Sequence, residues 1–202
     1  MRRVKNTNAT IVYEFLKRFI DIFLSLTALA FVTLIIPFFS IAIIIESEGG
    51  WLYSQKRIGK DMRCFNMYKL RSMYKDSEKD GASLTNITDP RVTKVGKIMR
   101  RTRIDELPQI INILKNDMSI VGPRPEQVEF AQQYIIEIPR YGERFKVKGG
   151  LTGLAQIQGG YDLTPQEKLE KDLYYIEHRS FWLDLYIIIK TVMVVVTGRG
   201  AR

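Results

Sequence analysis

IFLSLTALAFVTLIIPFFSIAIII, residues 22–45, decides the architecture of this chain: 24 consecutive residues carry no charge, and a proline stands among them. As one helix the run would reach ~36 Å, enough to cross a hydrocarbon core of about 30 Å. It is too long for the apolar core of a cleaved signal peptide, and no small-x-small cleavage site precedes the acidic ESEGG that follows. Pro37 has no N–H for the carbonyl of Thr33 and its ring crowds that carbonyl, so a bend is expected there. The arms Ile22–Ile36 and Phe38–Ile45 would reach only ~22 Å and ~12 Å, and neither crosses a bilayer alone. Thr33 and Ser40 stand where they could satisfy backbone groups freed at the bend.

The flanks of the run give no orientation. Arg2, Arg3, Lys5, Lys17 and Arg18 precede it; Lys56, Arg57, Lys60 and Arg63 follow it. With basic residues on both sides the positive-inside rule has no winner. A helix that enters and leaves by one face would produce that tie, and a kinked spanning helix remains open beside it. Lys17 and Asp21, four apart, share a helix face and are expected to pair.

Across 202 residues, 31 lysines and arginines stand against 22 acids, a formal net charge of +9. Such an excess implies an anionic partner: acidic lipid headgroups, a phosphorylated substrate or nucleic acid. The acids interleaved at Glu46, Glu48, Asp76, Glu78 and Asp80, and the lack of a long basic stripe, argue against nucleic acid. One cysteine and one histidine exclude an internal disulfide and a zinc cluster. Cys64 reads as a packing residue, and His178 as a surface residue near a helix end.

Downstream, residues 51–73 read as two short strands around a turn at Gly59–Asp61. Residues 76–91 are polar, with turn formers and a proline, and read as a mobile loop. A helix is expected from VGKIMRR, and another from LPQIINILKN, whose Leu107, Ile110, Ile111 and Leu114 recur at helical spacing, with Pro108 in the first turn. GGLTGLAQIQGGYD (149–162) is glycine-rich and lacks the GxxxxGK[ST] of a phosphate loop. TPQE (164–167) is a capping box that opens a helix. The apolar tail Leu185–Val196 is too short to span, and fits either an interfacial helix with Trp182 and Tyr186 near the headgroups or a buried helix.

The chemistry centres on RRTRIDELPQ, residues 100–109. An Asp-Glu pair before a helix is ordinarily a capping device. Here Arg100, Arg101 and Arg103 precede Asp105 and Glu106, and Arg124 follows in VGPRPE, its backbone fixed by a proline on each side. A pinned guanidinium suits phosphate or carboxylate. The arginines could hold a phosphate or pyrophosphate while a carboxylate approaches phosphorus, with a divalent cation suppressing the repulsion. An acid, arginines and an apolar run together suggest chemistry on a phosphorylated lipid.

QKRIGKD, FNMYKLRSM, RRTRIDELPQIINILKNDMSIVGPRPE, GLTGLAQI and EKLEKDLYYIEHRSFWLDLYIIIKTV occur in that order. With them the chain resembles the monotopic phosphoglycosyl transferases, the bacterial sugar transferases that start exopolysaccharide and glycoprotein glycan assembly. The likeness runs from KRFID at 17–21 to the C-terminal tail. It is to the small, minimal members.

The resemblance implies transfer of a sugar 1-phosphate from a UDP-sugar to undecaprenyl phosphate, giving undecaprenyl-diphosphate sugar and UMP. It makes Asp105 the nucleophile, through a covalent phosphosugar–enzyme, and Glu106 the other half of the dyad, either positioning metal and nucleophile or handling a proton. Mg²⁺ is implied, bound in part by Asp105. Arg100 and Arg124 are implied phosphate binders, Arg101 a weaker one.

The implied fold is mainly α with a small β-hairpin (α+β). It has a basic segment (1–16), a re-entrant membrane helix broken at Pro37 (17–46), and a cytosolic catalytic domain with interfacial amphipathic helices (47–202). Some relatives carry serine before the helix-breaking proline, where this chain has Ile36. The implied location is the cytoplasmic face of the bacterial inner membrane. Homo-oligomers and downstream glycosyltransferases are the protein partners it allows. The competing reading is a basic, membrane-anchored lipid-binding or scaffold protein without catalysis.

Overall fold

The computed structural model describes residues 8–75, 77 and 89–197; most of the loop expected at 76–91 lies outside them. The first element, α1, runs from Asn8 to Glu46 as one helix of 39 residues with Pro37 inside it. Its apolar part is long enough to cross a membrane by length and composition. Helical structure continues through the proline, so the expected break is absent from the secondary structure. Neither expected helper bridges the site: the Thr33 hydroxyl donates to Ala30 O at 2.9 Å, and the buried Ser40 hydroxyl has no partner. The helix also begins within the segment assigned to residues 1–16.

One stripe of α1, including Asp21, Ser25, Val32, Ser40 and Ile43, is buried, while Phe23, Leu26, Phe31, Leu34, Phe38, Ile41 and Ile45 are exposed. Both ends of that stripe are tied to the rest of the chain. Arg18 donates to Ile113 O (2.7 Å) and Leu114 O (2.9 Å). Lys17 pairs with Asp184 at 2.8 Å, not with Asp21, which instead accepts from Ser119 Oγ (3.0 Å) and Ile120 N (2.9 Å). At the far end, the Glu46 carboxylate accepts from Lys94 N (2.6 Å) and Val95 N (2.8 Å), the first turn of helix α2 (Lys94–Thr102). Arg71 reaches the carbonyls of Ser47 (2.7 Å) and Gly49 (3.3 Å) just past the end of α1.

Strands β1 (Leu52–Ile58) and β2 (Cys64–Leu70) form the expected hairpin, in register from Leu52↔Leu70 to Ile58↔Cys64. The turn is longer than expected: Lys60–Met62 form a tight turn in which Asp61 and Met62 take positive φ. Cys64 is exposed, not packed.

Helix α3 (Gln109–Leu114) lies along the free edge of β2, with Pro108 just ahead of its first residue. The Asn112 amide closes that edge, accepting from Tyr68 N (3.1 Å) and donating to Asn66 O (2.7 Å), as a neighbouring strand would. This rotates α3 from its expected face: Gln109, Ile110, Asn112 and Ile113 are buried, while Ile111 is 40 % exposed.

Two further pairings were not foreseen. Strand β3 (Met118–Val121) pairs in parallel with β5 (Gly149–Thr152), and β4 (Glu126–Gln127) adds antiparallel to β1. Helices α4 (Val128–Glu137), α5 (Leu154–Ile157), α6 (Pro165–His178) and α7 (Phe181–Thr197) complete the fold. Thr164 and Glu167 form the capping box on α6. Helix α7 is buried along one side and exposed along the other. Ile187 packs with Val121, Leu154 and Tyr175, while Trp182, Tyr186, Ile189 and Met193 remain exposed.

Candidate active site

Helix α2 ends at Arg103, which caps it in the left-handed conformation (φ 60°) and turns the chain into a tight turn, Ile104–Glu106. A non-glycine residue rarely sits there. The turn carries Asp105 and Glu106 inward, and each is only 7 % exposed. They precede α3 without entering it, so their role is not that of an ordinary cap: no side-chain capping bond forms at the α3 N-terminus.

The two carboxylates have opposite surroundings. Glu106 Oε1 accepts from Lys69 Nζ at 3.3 Å and from Arg124 Nη2, and Glu106 Oε2 lies 3.4 Å from Arg124 Nη1. Burial pushes its carboxyl up, but Arg124 and Lys69 outweigh burial and hold it well below the usual carboxylate range. Asp105 Oδ1 is buried and has no hydrogen-bond partner. Burial and the neighbouring Glu106 charge raise its carboxyl to about 6, against the pull of Lys69, Arg100 and Arg124. The result is one spent carboxylate and one with an uncommitted oxygen.

Both open onto a cleft of about 830 Å³, lined by Lys69, Arg71, Arg100, Arg103 and Arg124 among others. Of the residues expected at the site, Asp105, Glu106, Arg100 and Arg124 therefore meet in one cavity. Arg100 is steadied by Ser72, its Nε donating to Ser72 Oγ at 2.9 Å. Arg101 is exposed on α2 and does not line the cleft, because the helical rotation from Arg100 turns it outward. Pro37 lies on α1, outside the cleft.

Lys69 escaped the sequence reading. The available signal was the period of two along β2, which puts Lys69 on the face of the buried Met67. Arg103, grouped in the sequence with Arg100 and Arg101, lines the cleft as well.

The glycine-rich stretch gains its reason here. Gly122 N donates to Thr152 O and Gly150 N to Pro123 O, both at 2.9 Å, so the Arg124 loop lies directly on β5. A Cβ on Gly150 would stand 2.1 Å from Gly122 N, and one on Gly149 would stand 2.5 Å from Pro125 Cγ. Only glycines admit the loop this closely.

The structure is that of an α+β protein in which a long apolar helix adjoins a cation-rich cleft around a buried acid pair. The chain belongs to the bacterial sugar transferase family, whose profile matches residues 12–198. It is 44 % identical to a UDP-N-acetylgalactosamine-undecaprenyl-phosphate N-acetylgalactosaminephosphotransferase of Aeromonas hydrophila, over 95 % of this chain and 46 % of that protein. It is 41 % identical to the UDP-glucose:undecaprenyl-phosphate glucose-1-phosphate transferase of Escherichia coli K12, over 90 % of this chain and 40 % of the relative. An exopolysaccharide production protein, PSS, of Rhizobium leguminosarum bv. phaseoli is 38 % identical over 92 % of this chain and 98 % of its own length. The chain thus spans less than half of the first two relatives and nearly all of the third.

Proposed function

We propose that this chain transfers a sugar 1-phosphate from a UDP-sugar to undecaprenyl phosphate, the first membrane step of exopolysaccharide, capsule or glycoconjugate synthesis. The names of the Aeromonas and Escherichia relatives support the reaction class. The observation that carries the reading is the unpartnered Oδ1 of Asp105 beside a cleft lined by arginines.

In the first step Asp105 attacks the donor phosphorus that bears the sugar. A carboxylate O–P bond forms, the P–O bond to the UMP phosphate breaks, and UMP leaves. In the second step an oxygen of undecaprenyl phosphate attacks the same phosphorus, and the Asp105 carboxylate departs with its electron pair. Arg100 and Arg124 hold the phosphate oxygens. Glu106, kept ionised by Arg124 and Lys69, orients that arginine; this supports a positioning role over proton handling. An uncommitted carboxylate oxygen in a cation-lined cleft fits Mg²⁺, which takes one or two carboxylates together with substrate phosphates and water. Bound by Asp105, Mg²⁺ would reduce repulsion between carboxylate and donor.

The re-entrant topology rests on the two clamps of α1. Arg18 and Glu46, near its opposite ends, are both bonded to the body that carries the site. If that body lies in the cytoplasm, both ends lie there too, and the exposed apolar face of α1 enters one leaflet of the inner membrane.

The test is UMP release from a panel of UDP-sugars with undecaprenyl phosphate in nanodiscs. One or more donors should yield UMP and lipid product, and Asp105→Asn should abolish both. Donor alone should leave a phosphosugar adduct on the peptide carrying DELPQ, read by intact and peptide mass spectrometry. An Asp105→Asn variant with wild-type turnover would overturn the reading, as would salt-sensitive lipid binding without UMP from any donor.

A further inference from the structure

We infer that Arg144 is a positioning residue for the donor phosphates, acting through Arg124. The inference rests on the transferase reading above and adds a residue that lines the same cleft but bonds to neither member of the acid pair.

The loop 121–126 has a difficulty built into it. Pro123 and Pro125 have no N–H, so around Arg124 the backbone is poor in donors and must be held by its carbonyls. Each of three successive carbonyls has its own donor. Pro123 O accepts from Gly150 N at 2.9 Å, Arg124 O from Arg144 Nη2 at 3.1 Å, and Pro125 O from Arg57 Nη1 at 3.3 Å. The middle bond falls on the residue whose side chain lines the cleft and pairs with Glu106.

Arg144 comes from the tight turn Tyr141–Lys146 and is 3 % exposed. Its Nη2 also pairs with Asp172 Oδ2 of α6 at 2.8 Å. Its Nη1 reaches Glu126 Oε2 at 3.3 Å and the Tyr141 hydroxyl. One planar guanidinium therefore joins the turn, β4, α6 and the Arg124 loop. Stability alone does not call for such a group: a buried ion pair is often replaced by apolar side chains without loss. What a hydrophobe would not supply is a rigid fork that fixes the height of the Arg124 carbonyl above the cleft. A displacement of about 1 Å in a substrate-positioning group can cost about 100-fold in rate.

The test is a double-mutant cycle on the full chain in nanodiscs, using the donor that gives most UMP. Arg144→Lys keeps the charge but loses the fork, and should lower kcat/KM for the UDP-sugar by about 10- to 100-fold, leaving KM for undecaprenyl phosphate unchanged. Arg124→Ala should lower it at least as far. In the Arg124→Ala background, Arg144→Lys should cost nothing more. If the two losses multiply, Arg144 acts independently and the inference is wrong. Asp172→Asn, which keeps the shape and removes the charge that orients Arg144, should repeat the pattern. If neither variant retains a cooperative melting transition, the network serves the whole fold and the inference is again wrong. Hydrogen exchange at the Gly122 and Gly150 amides requires no substrate. It should speed up in Arg144→Lys, and unchanged exchange would overturn the positioning role even if the transferase reading stands. Absence of turnover in the wild type would sink that reading instead.

Discussion

Arg124 and Glu106 face each other as two forks, the guanidinium of one against the carboxylate of the other, with Lys69 closing on Glu106 from β2 at 3.3 Å. The pair consumes the charge of one acid and leaves its neighbour to feel the desolvation. Glu106→Gln removes the like charge beside Asp105, so the Asp105 carboxyl should fall below about 6. The acid limb of kcat/KM should move to lower pH. The rate should drop about 10- to 100-fold because Arg124 loses its anchor. An acid limb that stays in place would show that Glu106 has no electrostatic hold on the nucleophile.

The raised carboxyl of Asp105 also sets a stability trend. Its folded value, about 6, lies above the ordinary 3.8. The folded state therefore binds the proton more tightly, and this contribution is full below about pH 4 and lost as pH rises through 6. Asp105→Asn, which has no charge to bury, should be more stable than the wild type at pH 7.5, by up to about 3 kcal/mol. The gain should vanish below pH 4. Paired thermal melts at the two pH values check the sign.

Local signals carried much of this architecture. The uncharged run pointed to α1, the Gly59–Asp61 turn between two short strands to the hairpin, and TPQE to the start of α6. What stayed hidden was non-local. Residues 118–121 and 149–152 pair in parallel across a gap that no short window spans, so the glycines of GGLTG had no visible partner. Arg144 sits in RYGERFK, a charged stretch whose local pattern does not distinguish the buried arginine from its exposed neighbour Arg140. The acid pair was legible as chemistry, but its division into a paired and an unpaired carboxylate depends on Lys69, 37 positions away. Asn112 overrode the apolar period of α3, because an open strand edge demands a donor and an acceptor.

Gly150 gives a test of the loop that needs no substrate. An alanine Cβ there would meet Gly122 N at 2.1 Å and Thr152 O at 2.3 Å, both backbone atoms. The β3–β5 pairing must part to admit it. Gly150→Ala should cost about 1–3 kcal/mol of stability or more, and should depress donor turnover further than the loss of folded protein explains. Gly142→Ala, with open space around its Cβ, is the control and should leave turnover unchanged.

The topology proposed for α1 has its support in two clamps. Arg18 holds the last turn of α3, and Glu46 caps the first turn of α2. A spanning helix would put these two contacts on opposite sides of a core about 30 Å thick, while α2 and α3 are joined through the Ile104–Glu106 turn that carries the acid pair. Where both bonds hold in the membrane, the two ends share one compartment, as the proposed topology requires. Single cysteines introduced at positions 5 and 60, in a Cys64→Ser background that removes the exposed native thiol, should both react with an impermeant maleimide from the cytoplasmic side. Labelling from opposite sides would break one clamp. Glu46→Gln should then distinguish anchoring from catalysis: losing the charged cap of α2 should lower turnover severalfold, because Arg100 rides on that helix, while membrane recovery stays unchanged.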